Sequence, residues 1–338
     1  MKIGKQTWQF DNEIYLTSTG TSGGPLEKDG PLGSTIDKTF DELYCGEKTW
    51  ELAERKLMRE AIDICLKNIN KKPKDIDLFL AGDLLNQTVT SNYIAAEHQI
   101  PYIGLFGACS TSMEGLALAA HFVDSGAVNY ALTAVSSHNA TAERQFRNPT
   151  EYGGPKHGTT QSTVTGSGAA IVSRDRSPIR ITGATLGKVQ DWGIADASDM
   201  GSAMAPAAAD TIEQHLKDTG RKVTDYDLIV TGDLASVGSP IVRELMWERG
   251  YDISQVHQDC GLMIYSPDQP IFAGGSGCAC SAVVTYGYLT QLLKKRELKR
   301  IFVVATGALF NPTMIQQKES IPCIAHGVVL ESAKEESP

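Results

Sequence analysis

Gly104-Leu105-Phe106-Gly107-Ala108-Cys109-Ser110-Thr111-Ser112, residues 104–112, runs from a short apolar strand through small residues into the start of a helix. The same corner is written again at residues 272–281 as Phe272-Ala273-Gly274-Gly275-Ser276-Gly277-Cys278-Ala279-Cys280-Ser281. Three more pairs of segments keep one order in both copies. Residues 75–84, with Ala81-Gly82-Asp83-Leu84, match 225–234, with Thr231-Gly232-Asp233-Leu234. Residues 130–137 match 300–307, and Gly166-Ser167-Gly168-Ala169-Ala170-Ile171-Val172 matches 325–331 less closely. Ordered repetition of this kind marks a duplicated α/β unit whose connecting loops differ in length.

Hydrophobic spacing fills in the unit. Thr49 is placed to cap a helix with Glu51 in its first turn. Ala53, Leu57, Ala61, Ile64 and Cys65 follow helical spacing, and Asn68 marks the polar end. Strands are expected at 77–81 and 102–106, followed by a helix from Ser110 to Val123. Met113, Leu116, Ala117 and Ala120 share one stripe of that helix, so it packs inside. The second copy predicts a matching helix from Ala279 to Leu293. Long loops are expected at 11–48 and 138–162, and the second, polar and glycine-rich, has the character of a binding wall on a rigid scaffold. The expected division is an N-terminal half, 1–175, and a C-terminal half, 176–338.

The chain has 338 residues and a net charge of −9. That is enough chain for a large core without staples. The acidic balance, with pI near 5.3, speaks against nucleic acid as a partner, which wants a basic stripe. Seven cysteines, and a start (Met1-Lys2-Ile3-Gly4-Lys5-Gln6) without an apolar leader segment, lead us to expect a reduced, cytoplasmic-side protein. No apolar run approaches the roughly 18 residues that span a bilayer, so attachment to a membrane would need partners.

The duplicated corners and their order resemble the thiolase-like superfamily. That resemblance implies an α/β thiolase-like fold, two duplicated halves in a five-layer αβαβα body, commonly a homodimer. It also places the superfamily's nucleophilic cysteine at Cys109. The Gly-Ser-Gly-Ala-Ala run at 166–170 resembles the glycine-rich hairpin of ketoacyl synthase III. A narrower likeness covers the whole chain: residues 82–87 (Gly-Asp-Leu-Leu-Asn-Gln), 136–147, 200–211, 259–265 and 316–326 are similar to the SpoVAD family of sporulation proteins. It implies binding of dipicolinic acid, as calcium dipicolinate, for uptake into the developing spore. It further implies a peripheral place on the spore inner membrane beside other SpoVA membrane proteins.

Catalysis at Cys109 needs a lowered thiol pKa and a base or oxyanion donors. The second-half histidine of ketoacyl synthase III has no counterpart in Thr231-Gly232-Asp233-Leu234-Ala235, and its asparagine falls near Ser276. Cys323-Ile324 resembles a thiolase motif, and His326 follows; these either serve Cys109 or are a buried cysteine and a backbone-bonded histidine. Asp83 and Asp233, at equal places in the copies, either line one cavity or cap the turns that follow them; the cap is favoured for Asp233 and the cavity for Asp83. In the stretch 136–147, His138, Asn139, Arg144 and Arg147, with Phe146 as an apolar wall, would suit a flat aromatic dicarboxylate. The alternative is an ordinary surface loop in which Arg144 pairs with an acid. Cys278 and Cys280 lack zinc-site spacing, so no metal site is expected, and no cofactor beyond calcium carried within the chelate. His215 and His257 show no partner. Expected ligand contacts are therefore Asp83, Cys109, His138, Asn139, Arg144, Arg147 and His326, in a non-catalytic binding protein. The competing expectations are an acyltransferase with Cys109 as nucleophile, and a purely structural subunit.

Overall fold

The structure is a computed structural model that describes residues 1–146 and 156–333; Arg147 lies outside them. Its first copy supplies strands β1 (Tyr15–Gly23), β2 (Leu78–Asp83), β3 (Tyr102–Gly104), β4 (Ala131–Ser137) and β5 (Gly166–Ser173). The second supplies β6 (Ile179–Thr185), β7 (Leu228–Thr231), β8 (His257–Asp259), β9 (Arg300–Ala308) and β10 (Cys323–Ser332). Hydrogen bonding orders them β8-β7-β9-β10-β6-β1-β5-β4-β2-β3. Counted outward from the β6/β1 seam, both copies run first, fifth, fourth, second, third. The seam is a single residue pair, Arg180 with Tyr15.

Helices Trp50–Asn68 and Val89–His98 cover one face of the first copy's strands, and Met200–Thr219 and Ala235–Glu248 cover one face of the second copy's. Between the two sets lie Thr111–Asp124 and a continuous helix of Cys278–Val283, a π-helical Val284–Leu289 and Thr290–Lys294. This is the five-layer αβαβα arrangement. Met113, Leu116, Ala117 and Ala120 are wholly buried, as their stripe predicts, and so are Ala119 and Val123 on other faces. A middle-layer helix is enclosed by sheet on both sides, so its apolar surface runs nearly all round.

Thr49 caps its helix by accepting a hydrogen bond from the Leu52 N–H at 3.3 Å. Ile64 is only half-buried, while Met58 and Ile62 face the core.

The expected loop 11–48 instead contains β1, near the middle of the sheet. Its residues Thr17-Ser18-Thr19-Gly20-Thr21-Ser22 hide this, because they are polar yet mostly buried. The Ser18 hydroxyl donates to the Cys65 carbonyl at 2.7 Å and the Ser22 hydroxyl to that of Leu57 at 2.8 Å. Those bonds satisfy hydroxyls that burial would otherwise penalise. At Gly20 a Cβ would stand 2.2 Å from the Ala61 carbonyl oxygen, so strand and helix approach more closely than any larger residue allows. The expected loop 138–162 likewise begins as a helix, Asn139–Phe146. Gly166-Ser167-Gly168 opens β5.

Candidate functional site

β2 runs parallel to β4 and β9 parallel to β7; the segments leaving β2, β4 and β9 come together, and open α/β sheets present ligands at such strand ends. A cavity of about 750 Å³ lies there. Asp83 ends β2, Ala108 and Cys109 form the first corner, and Ser276 comes from the second corner. The chain leaving β4 contributes Gln145 and Phe146, and the chain leaving β9 contributes Phe310 and Asn311. Phe146 and Phe310 meet edge to face with centroids 5.7 Å apart, so matching segments of the two copies meet across the cavity.

Cys109 sits at the start of a middle-layer helix, but its surroundings do not activate it. The thiol hydrogen-bonds Asp233, and its pKa is raised well above the ordinary value, first by burial, then by the Asp233 carboxylate and the nearby Cys278. Reactive thiols need the opposite shift. Asp233 stands in the stretch where the condensing enzymes' histidine was sought. It is buried and accepts from the Thr306 hydroxyl at 2.6 Å, the Gly277 N–H at 3.0 Å and the Ser276 hydroxyl at 3.2 Å. Burial pushes its pKa up to about 6.

The two equivalent aspartates thus divide differently from expectation. Asp83 lines the cavity and also caps its turn, accepting from the Leu85 N–H at 3.0 Å, the Ser91 N–H at 2.9 Å and the Ser91 hydroxyl at 2.7 Å. Asp233 does not cap the turn after β7. Asp259 does, accepting from the N–H groups of Leu234 at 2.9 Å and Ala235 at 2.8 Å, which frees Asp233 to reach the cysteine corner.

Behind Asp83 lies Glu54, an inward-facing acid that the sequence reading passed over. It is fully buried and accepts from the hydroxyls of Ser136 at 3.0 Å and Thr141 at 2.8 Å. Burial, and then the neighbouring Asp83 charge, push its pKa up to about 8. The signal was present: Glu54 falls three, four and seven residues before Leu57, Met58 and Ala61, on the buried face.

The other expected contacts are placed elsewhere. His138 is buried, with Nε2 on the Leu43 carbonyl at 2.8 Å and Nδ1 accepting from the Ala140 N–H at 3.1 Å. The Asn139 amide donates to the Thr163 carbonyl at 3.3 Å. Arg144 pairs with Glu51 and lies over the Trp50 ring. The His326 Nδ1 accepts from the Gly187 N–H at 3.3 Å. None of these four is in the cavity wall. Cys323 is buried and bonds the Ile321 carbonyl at 3.4 Å. Cys278 and Cys280 are fully buried, and no metal-holding cluster occurs among the described residues. His215 finds Thr185 and Tyr226, and His257 finds Thr231 and Arg243.

Residues 4–331 match the family described as Stage V sporulation protein AD (SpoVAD). A relative from Bacillus subtilis (strain 168), named Stage V sporulation protein AD, is 62% identical over 334 residues, which is 98% of this chain and 99% of the relative. Among solved structures, 3-oxoacyl-[acyl-carrier-protein] synthase III from Aquifex aeolicus VF5 is similar with a TM-score of 0.59 and 14% identity, covering 94% of this chain and 99% of that one. Cerulenin-bound OleA from Xanthomonas campestris is similar with a TM-score of 0.61 and 14% identity, covering 95% and 99%. At such identities the likeness is one of fold, the thiolase-like fold.

Proposed function

Since this chain belongs to the stage V sporulation protein AD family, whose role is in bacterial sporulation, we propose that its Cys109 cavity binds dipicolinic acid, as the calcium chelate, without chemistry, for uptake into the developing spore. The observation that carries this reading is a cavity kept open beside a thiol that burial and Asp233 hold protonated. Phe106, Phe146 and Phe310 line the cavity, aromatic side chains suited to contact with a flat aromatic ligand. Among the described residues no Arg, Lys or His lines the cavity, and Asp83 does. A bare dicarboxylate would enter without a counter-charge; calcium neutralises it, which favours the chelate.

Calorimetry tests the binding. Calcium dipicolinate should release or absorb heat with the wild-type protein, and Phe310→Ala should weaken binding by about tenfold, the effect of losing roughly 1.4 kcal/mol of ring contact. Free dipicolinate in the presence of a calcium chelator should bind more weakly. A silent titration at high micromolar chelate, with folded protein, ends the reading.

The absence of chemistry has its own test. After incubation with acyl-coenzyme A, mass spectrometry should find Cys109 unmodified. An acyl adduct on that residue would instead establish an acyltransferase.

No helix among the described residues is long and apolar enough to cross a membrane. In the proposed role the protein is peripheral at the spore inner membrane, held by other SpoVA membrane proteins. It works as a homodimer: β3 ends the strand order, and Ile103 and Phe106 beside it are 42% and 63% exposed, an apolar edge suited to a second copy.

A further inference from the structure

A second hollow, of about 360 Å³, opens at the seam between the two copies and shares no lining residue with the Cys109 cavity. Its walls come from the N-terminal hairpin (Lys2–Ile3 with Thr7–Gln9), from β6 and β10, and from the helix Met200–Thr219. The hairpin is held by Asp218, which accepts from the N–H groups of Lys5 at 2.9 Å, Gln6 at 2.8 Å and Thr7 at 3.0 Å. The wall is therefore anchored to the helix opposite it.

Trp8, Phe10 and Val329 give the hollow an apolar side, and Arg180, Arg221 and Glu331 give it two positive charges and one negative. The Arg180 backbone makes the seam pair with Tyr15. Its Nε is buried and has no hydrogen-bond partner. Its ion pair with Glu13, at 3.8 Å, is long, and that carboxylate is mostly exposed. A guanidinium N–H shut off from water without an acceptor is costly, and such a group calls for an explanation, a bound anion being one.

Among the described residues the Arg221 guanidinium has long hydrogen bonds, 3.3 Å to the Tyr226 hydroxyl and 3.5 Å to Glu331, and stands over the Tyr226 ring. Glu331 is already bonded by Arg300 at 2.7 Å. Arg180 and Arg221 against Glu331 leave the wall one net positive charge within a chain whose net charge is −9. A concave positive site with an apolar flank selects a small anion with an apolar body.

We propose that this seam hollow is a second ligand site, taking a small organic carboxylate or phosphate monoester whose anionic group sits on Arg180 and Arg221 and whose apolar part lies against Trp8 and Phe10. The inference stands apart from dipicolinate binding at Cys109.

The probes are benzoate, phenyl phosphate and inorganic phosphate, each titrated calorimetrically at millimolar concentration. Benzoate or phenyl phosphate should bind more tightly than inorganic phosphate, and the better of the two identifies the anion class. Arg180→Gln and Arg221→Gln should each weaken that binding by about tenfold, with circular dichroism confirming the fold. If one variant fails to fold, the other decides. No heat from any probe, or heat undiminished in the folded variants, overturns the proposal. The Arg180→Gln protein titrated with calcium dipicolinate keeps the two sites separate, since that binding should be unchanged.

Discussion

Asp233→Ala should lower the unfolding free energy by about 2–5 kcal/mol, since each buried donor left without its acceptor costs about 1–3 kcal/mol. Asp233 accepts from Thr306, Gly277 and Ser276 and meets the Cys109 thiol, and its side chain is buried. Alanine would leave the Gly277 N–H and the Thr306 hydroxyl without this acceptor. The loss also reaches across the duplication, because Gly277 belongs to the second corner and Cys109 to the first. Equilibrium urea unfolding measures it. A change under about 1 kcal/mol, the scale of an ordinary net hydrogen bond, would show that water or rearranged side chains take over the carboxylate's role and that the corner is not organised around it. Asp233→Asn should fall between the two, since its carbonyl oxygen keeps one acceptor while its NH2 group faces donors.

The second large effect is a pH dependence centred on Glu54. Its ordinary pKa of 4.5 is raised to about 8 in the fold by burial and by Asp83. Between those values the folded protein holds a proton that the unfolded chain releases. Stability from this group is therefore fully present below about pH 4.5 and is lost as pH rises toward 8. Asp83 shifts in the same direction. Glu27, bonded to Tyr265 and to the Thr165 N–H, and Asp233 are each raised to about 6, so their share of the slope is spent by then. The half-buried His98 and the buried His138, His215, His257 and His326 are all lowered by burial and oppose this slope below about pH 7, so the difference between wild type and a Glu54 variant is what isolates Glu54. Urea unfolding of wild type and Glu54→Gln across about pH 6 to 8 should show the wild type losing stability relative to the variant by on the order of 2 kcal/mol. Glu54→Gln, uncharged throughout and able to accept from Ser136 and Thr141, keeps the histidine titrations and lacks only this one. Parallel profiles for the two proteins would mean that Glu54 is ionised in the fold.

The corners, their order and the middle-layer helices were legible because apolar residues and small residues recur at fixed positions. What stayed hidden was mostly polar and buried. β1 read as loop because Ser18 and Ser22 hide in a core where helix carbonyls receive their hydroxyls; hydropathy registers the hydroxyl but not its partner. The site was half legible for a related reason. Asp83, Cys109 and Phe146 lie at strand and helix ends whose direction the fold dictates. His138, Asn139 and Arg144 lie on a turn and helix whose side chains are aimed by local bonds to Leu43, Thr163 and Glu51, and residue type gives no hint of those directions. Asp233 was misread because symmetry argued for a cap, while Asp259, well separated in sequence, had taken that task.

The matched corners are alike in backbone and unlike in use. Ala108 and Gly277 both turn through left-handed φ, +50° and +99°, yet Cys109 borders open space while Cys278 is fully buried and donates to the Ala108 carbonyl at 3.0 Å. Duplication would by itself give two equal berths per polypeptide. Here one berth has been converted into the floor of the other, so under the proposed role each chain carries a single molecule of cargo, and cargo per assembly counts its subunits rather than its lobes.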